Sequence, residues 1–297
     1  MPSTISFSAL LTTGWSFQPQ VVAVILLACL LYWRGVIWSL RRGYHHSLEW
    51  WRVTLFYLAA LSAFLALESP IDAWAGTYFW VHMLQHELLI MVTAPLALLS
   101  APWMPLWRGV PLTWRRLVLR PLGRRPQIFP ILRRVGHTLG SPVFAWLFYV
   151  VDLTVWHLPF FYDLTEANKA IHYTEHALFL VTALFFWGQV IPSFPFKPRL
   201  GYAGQLVYMF TATVHGNALD WFLLSATTPI YGYYAALPRA PGMVSAVVDE
   251  HLAAGIMMSA TMFAFILMLV VIAGLWLAEE ERRTAVMDAA LAGEQQS

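Results

Sequence analysis

Two histidine pairs hold most of the chemistry available to this chain. His82 and His86 are four residues apart, and so are His172 and His176. On an α-helix that spacing puts both side chains on one face, about 6 Å from each other. Gln85 joins the first face and Glu175 the second. Neutral imidazole is the commonest protein ligand for metals and suits Cu, Zn, Fe or Ni. Two such pairs at one depth can close a four-nitrogen metal site, and a fifth histidine, His251, follows Asp249 and Glu250 in the sequence. Glu175, Gln85 and Glu87 stand where they could orient imidazole N–H groups as outer partners of a metal. Met83, Met257 and Met258 offer thioethers for Cu(I), although buried methionine more often fills a core. The single cysteine, Cys29, excludes an internal disulfide and any CxxC metal motif, so soft-metal chemistry falls to His and Met.

The elements that position these residues follow from composition. The 297 residues are 59% hydrophobic and only 11% charged, with a mean hydropathy of +0.60, whereas soluble domains carry about 25% charge. That excludes a disordered chain, a coiled coil and a nucleic-acid-binding module, and indicates an all-α polytopic membrane bundle. Seven apolar runs are long enough to span: near 21–40, 50–67, 78–100, 142–158, 170–192, 203–226 and 249–277. Sixteen of the eighteen Lys and Arg residues then fall on one side, eight of them arginines in the acid-free connection 101–140. The positive-inside rule places that basic loop and the tail 278–297 in the cytoplasm and the N-terminus outside. The first 20 residues lack Lys and Arg, so the basic n-region of a signal peptide is absent. Trp103, Trp107 and Trp114 in the basic loop fit an interfacial belt, and its arginines suit anionic lipid better than nucleic acid.

In this topology His82, His86, His172, His176 and His251 all lie in the outer half of the bundle, with His157 and Asp220 near them and His215 deeper. His45, His46 and His137 form the cytoplasmic remainder. Ionisable residues within spans are costly and mark function by default. The competing structural roles are also definite. A lone intramembrane histidine such as His157 or His215 is usually a hydrogen-bonded packing residue, and Asp152 could bridge two helices. The stretch from His215 to Trp221 carries small residues that permit close helix packing. No HExxH motif, nucleotide loop or serine elbow is present, so no enzyme is indicated.

The sequence resembles the CtaG-type cytochrome c oxidase assembly factors of bacteria. The resemblance rests on His82-Met83-Leu84-Gln85-His86 with the run Leu88 to Pro102, and on His157-Leu158-Pro159 with Tyr162-Asp163. It continues through His172 to His176, Phe185-Phe186-Trp187, and Asp249-Glu250-His251-Leu252-Ala253-Ala254-Gly255. These motifs extend from about 78 to 258; the family pattern has Gln near position 251, where this chain has His251. The resemblance implies a bacterial plasma-membrane factor that helps make an active haem-copper oxidase by supplying or positioning copper. Oxidase subunits and periplasmic copper donors would be its partners. Three alternatives stay open on the residues alone: a haem-bearing electron carrier, a di-iron oxygenase using Glu87 and Glu175, and a metal-free scaffold.

Overall fold

The computed structural model describes residues 14–44, 49–124, 127–239 and 243–294. His45, His46, Arg125 and the end of the tail at Ser297 lie outside these residues. The described residues are helical, with no strand beyond one isolated bridge between Ser193 and Phe196.

In chain order the helices are α1 (Pro19–Arg41), α2 (Trp50–Glu68), the short α3 (Pro70–Ala75) and α4 (Phe79–Leu99). Next come α5 (Trp103–Gly109), α6 (Leu112–Arg124), α7 (Ile128–Leu139), α8 (Pro142–Trp156) and α9 (Pro159–Ala167). The chain finishes with α10 (Lys169–Trp187), α11 (Tyr202–Leu224), α12 (Gly232–Ala236) and α13 (Ala246–Glu294).

Helices therefore occupy all seven predicted windows, but not all are equally apolar. Four are long and apolar enough to cross a membrane by themselves: α1, the α2–α3 stretch Trp50–Ala75, α4 and Ala246–Ala289 of α13. A fifth crossing is reached only if α7 and α8, bent by 59° to each other, count as one. At 15 residues, α8 alone reaches only about 22 Å at ~1.5 Å per residue. α10 and α11 have 19 and 23 residues, yet fall short in hydropathy. The polar side chains of α10 and α11 that dilute it, among them Glu175, His176, Gln205 and Asp220, are buried inside the bundle.

Local sequence explains the breaks. Pro142 opens α8 at its first turn, and the Ser141 hydroxyl accepts from the Phe144 N–H. Asn168 opens α10 by accepting from the N–H groups of Ala170 and Ile171. Within α4 the turn Leu88–Thr93 widens into a π-helix. Pro95 follows it, and its missing N–H and bulky ring disfavour a regular α-turn there.

The connection 101–140 differs from the loop expected of it, because it folds into α5, α6 and α7. α7 has no buried residue. Its exposed Phe129, Ile131, Leu132, Val135 and Leu139 repeat at helical spacing, with Arg133, Arg134 and His137 between them. Such a segment suits the plane of a membrane interface.

Connections that share an end of the bundle touch one another. At one end the Arg199 guanidinium donates to the His137 carbonyl and the Trp103 indole to the Ser193 hydroxyl. At the opposite end the α3, α9 and α12 segments converge over the histidines. Between the ends, Asp152 ties α8 to α10 by accepting from Trp156 Nε1 at 2.8 Å and Thr182 Oγ1 at 2.9 Å. Trp187 Nε1 donates to the Ile90 carbonyl at 2.9 Å and so joins α10 to the π-turn of α4.

Candidate metal centre

The centre is built on α4 and α10. Helix α4 is anchored at its start from far along the chain: the Asp249 carboxylate accepts from the backbone N–H groups of Phe79 and Trp80 at 3.1 and 3.0 Å. Those two amides have no intrahelical acceptor, so a carboxylate there satisfies donors and opposes the positive end of the helix dipole. Arg239 pairs with the same carboxylate at 3.2 Å. One turn further on, His82 and His86 point to α10, whose cap at Asn168 sets His172, Glu175 and His176 on the facing side.

His82, His172, Glu175 and His176 each offer one ligand atom, and these atoms lie within 4.8 Å of one another. This His/Glu group can hold a metal ion. His86 completes the cluster: its Nε2 is 3.0 Å from His82 Nε2 and 3.9 Å from a Glu175 oxygen. Glu175 also stands 3.8 Å from His82 Nε2. Ring centroids are 5.0 Å apart for His82 and His172, and 5.2 Å for His86 and His176. Apart from the half-buried His172, these residues are buried.

The donor set has the features of a ligand cage rather than of a closed hydrogen-bond network. His172 Nε2, His176 Nε2 and both Glu175 oxygens are buried without a hydrogen-bond partner. Buried polar atoms are normally satisfied, and a cation shared among these atoms would satisfy them together. Imidazole with one carboxylate suits a borderline transition metal.

The far nitrogen of His82 is held firmly. Its Nδ1 is 2.8 Å from the Glu166 carboxylate and 2.8 Å from the Tyr162 hydroxyl, with the Tyr234 hydroxyl at 3.3 Å. Tyr234 donates its own proton to the Ala75 carbonyl at 2.6 Å. A carboxylate on Nδ1 makes that nitrogen the N–H donor and leaves the lone pair on Nε2, which faces the other histidines. Burial works to raise the Glu166 carboxyl, but its surroundings, led by the hydrogen bond from His82, outweigh that and hold it below the ordinary glutamate value. Phe79, Tyr162, Tyr231 and Tyr234, all fully buried, close the end of the bundle above the centre.

The other sequence candidates are placed elsewhere. His251 does not join the cluster; its Nε2 donates to the Ala226 carbonyl at 3.0 Å. Neighbouring Glu250 accepts from the N–H groups of Ile230 and Tyr231, fixing the strap that carries Tyr234. Of the three expected outer partners, only Glu175 faces the histidines. Gln85 turns away to the Ala66 carbonyl and Asp72, and Glu87 lines a separate cavity. His157 Nδ1 donates to the Leu153 carbonyl, while its Nε2 is buried without a partner, and His215 meets Thr154. Met83 is buried in the aromatic cluster and Met257 lines the Glu87 cavity. Sequence reasoning missed Glu166 altogether. Its signal was faint: it lies four residues after Tyr162, on the same face of α9.

A helical, multi-pass membrane protein with a buried histidine–carboxylate cluster at one end is the class this fold and site define. Within that class the cytochrome c oxidase caa3 assembly factor family matches residues 30–279, and the chain belongs to that family. Two curated relatives, uncharacterized proteins of Mycobacterium bovis and Mycobacterium tuberculosis, are each 25% identical over 286 residues. That alignment takes in 96% of this chain and 42% of each relative, so the chain spans less than half their length. No solved structure matches it.

Proposed function

We propose that this protein assists assembly of a cytochrome c oxidase by binding copper at the histidine centre and passing it to an oxidase subunit. The observation that carries this reading is the set of partnerless buried atoms, His172 Nε2, His176 Nε2 and both Glu175 oxygens, facing His82 and His86. The family supplies the process, and the donor set supplies the chemistry. His82, His86, His172 and His176 are the ligands, Glu175 balances charge, and His251 stays outside the set. Copper is cargo here, and exchangeable imidazole ligands suit a site that must release it.

The topology belongs to the same reading. The chain crosses a bacterial plasma membrane seven times, with its N-terminus outside; α10 and α11 are spans that turn their polar side chains into the bundle, while Val207, Phe210 and Val214 give α11 an exposed apolar face for lipid. The centre then opens toward the periplasm, the side from which copper donors arrive. A haem-bearing carrier fits less well: across the two helices the ring centroids of His82 and His172 are 5.0 Å apart and those of His86 and His176 5.2 Å, which leaves no slot for a porphyrin.

The test is metal loading of the detergent-purified chain. Wild type equilibrated with Cu(I) should carry one equivalent more than the His82→Ala/His86→Ala variant. Cells carrying that variant should make oxidase deficient in copper and activity. Normal loading of the oxidase in those cells would overturn the proposal.

A further inference from the structure

On a different face of α4 from the histidine centre lies a cavity of about 30 Å³, enclosed by α4, α8, α10, α11 and α13. Glu87, directly after His86, reaches it because one residue turns the helix by about 100°. Three helices line it at helical spacing: Glu87 and Met91 from α4, Met209, Thr213 and Asp220 from α11, Met257 and Thr261 from α13.

The carboxylates in this cavity are unexplained by packing. Asp220 is fully buried, and neither of its oxygens has a hydrogen-bond partner. Glu87 is 8% exposed, and its Oε2 is likewise without a partner. No Lys, Arg or His lines the cavity. A buried charge is normally paired or bound to a metal, and here two acidic groups face one small space with nothing opposite. By contrast, Asp152, nearby on α8, has both oxygens occupied. Three thioethers surround the pair. Magnesium and calcium take oxygen donors, whereas carboxylate mixed with thioether favours a transition metal. Two carboxylates also match a divalent ion in charge. A volume of about 30 Å³ admits one ion or water, since roughly 10–15 Å³ of this kind of space holds a water.

We infer that the Glu87–Asp220 cavity is a second metal site, distinct from the histidine centre, which takes one divalent transition-metal ion on two carboxylates and thioethers. α4 carries ligands of both sites on adjacent residues, His86 and Glu87. The inference does not depend on the copper reading of the first centre.

The test uses the full chain in detergent, stripped with chelator and re-equilibrated with Co(II), whose visible spectrum reports its ligands. A His172→Ala/His176→Ala background removes the first centre. One equivalent of Co(II) should remain there. Adding Asp220→Asn or Glu87→Gln should weaken it by about 100-fold or more, beyond the 10–100-fold effect typical of an outer partner. Met257→Leu should keep the stoichiometry but weaken or shift the sulfur-to-cobalt charge-transfer band. Three nearly isosteric changes on three helices keep the test open if one of them fails to fold. Absence of Co(II) from the histidine-variant background would overturn the inference. So would Co(II) retained undiminished by both carboxylate changes, which would place the ion elsewhere in the chain. If instead wild type and the histidine variant carry the same single, Asp220-dependent ion, the histidine centre fails and the second site stands.

Discussion

The residue that decides how the histidine centre works is Glu166, which touches no other member of the cluster than His82. Its carboxylate fixes the Nδ1–H tautomer and so turns the Nε2 lone pair toward the other histidines, where a metal would sit. Glu166→Gln keeps the shape but loses the charge and leaves an amide free to donate instead. Its expected effect is a roughly 10–100-fold weaker Cu(I) affinity, read by competition with a chromophoric chelator, with helicity unchanged. A purely structural residue would alter melting and leave affinity alone. The histidine pairs were legible in sequence because their i, i+4 spacing is itself the geometry of a helix face. Glu166, Tyr162 and Tyr234 were not, since they reach His82 from connections 80 or more positions away and carry no periodic signal. Asp249 shows the converse. Its type and place suggested chemistry, yet it caps α4 from 170 positions away. Asp249→Ala would strand two amides and Arg239, and should cost about 1–3 kcal/mol, visible as a lower melting temperature in detergent with metal stoichiometry intact.

At the scale of elements, the best-defined joint is between α1 and α5. A Cβ on Gly35 would overlap the Pro105 carbonyl, and one on Gly109 would overlap the Leu31 carbonyl. The two glycines thus let the helix backbones touch, the way small residues work at membrane helix interfaces. Gly109→Ala should separate the helices and lower thermal stability, whereas Gly136→Ala in α7, where a Cβ meets nothing, should not. Paired melting curves of these variants check the joint. The sequence showed the helix windows well, because an apolar run of about 20 residues is the strongest signal a chain carries. It misjudged 101–140 for a physical reason. Arginines spaced through that stretch mark sidedness whatever the local backbone does, and they masked the apolar face of α7. The apolar content of α10 and α11 was equally hard to weigh, because a helix can spend the hydropathy of its inward face on buried polar groups such as Glu175 and Asp220.

At the scale of the whole molecule, the bundle has two chemically different ends. The basic segments α5–α7 and the 193–199 turn meet at one, where Arg199 reaches His137. α3, α9 and α12 meet at the other, where Ala75, Glu166 and Tyr234 join around His82. The copper reading depends on which end faces outward, and reporter fusions settle that. Seven crossings with the N-terminus outside make alkaline phosphatase active when fused after Gly76, Asn168 or Ala236, and inactive after Gly43, Gly140, Gly201 or Ala289. Five crossings, with α10 and α11 lying within the bundle without traversing it, would give 168 and 201 the same phenotype. A reversed pattern would put the histidine centre on the cytoplasmic side. That would remove the route from periplasmic donors and restore the di-iron alternative, whose histidine boxes lie on that side of the membrane. The first pattern is the one expected, because seven crossings put sixteen of the eighteen basic residues on one side, in keeping with the positive-inside bias.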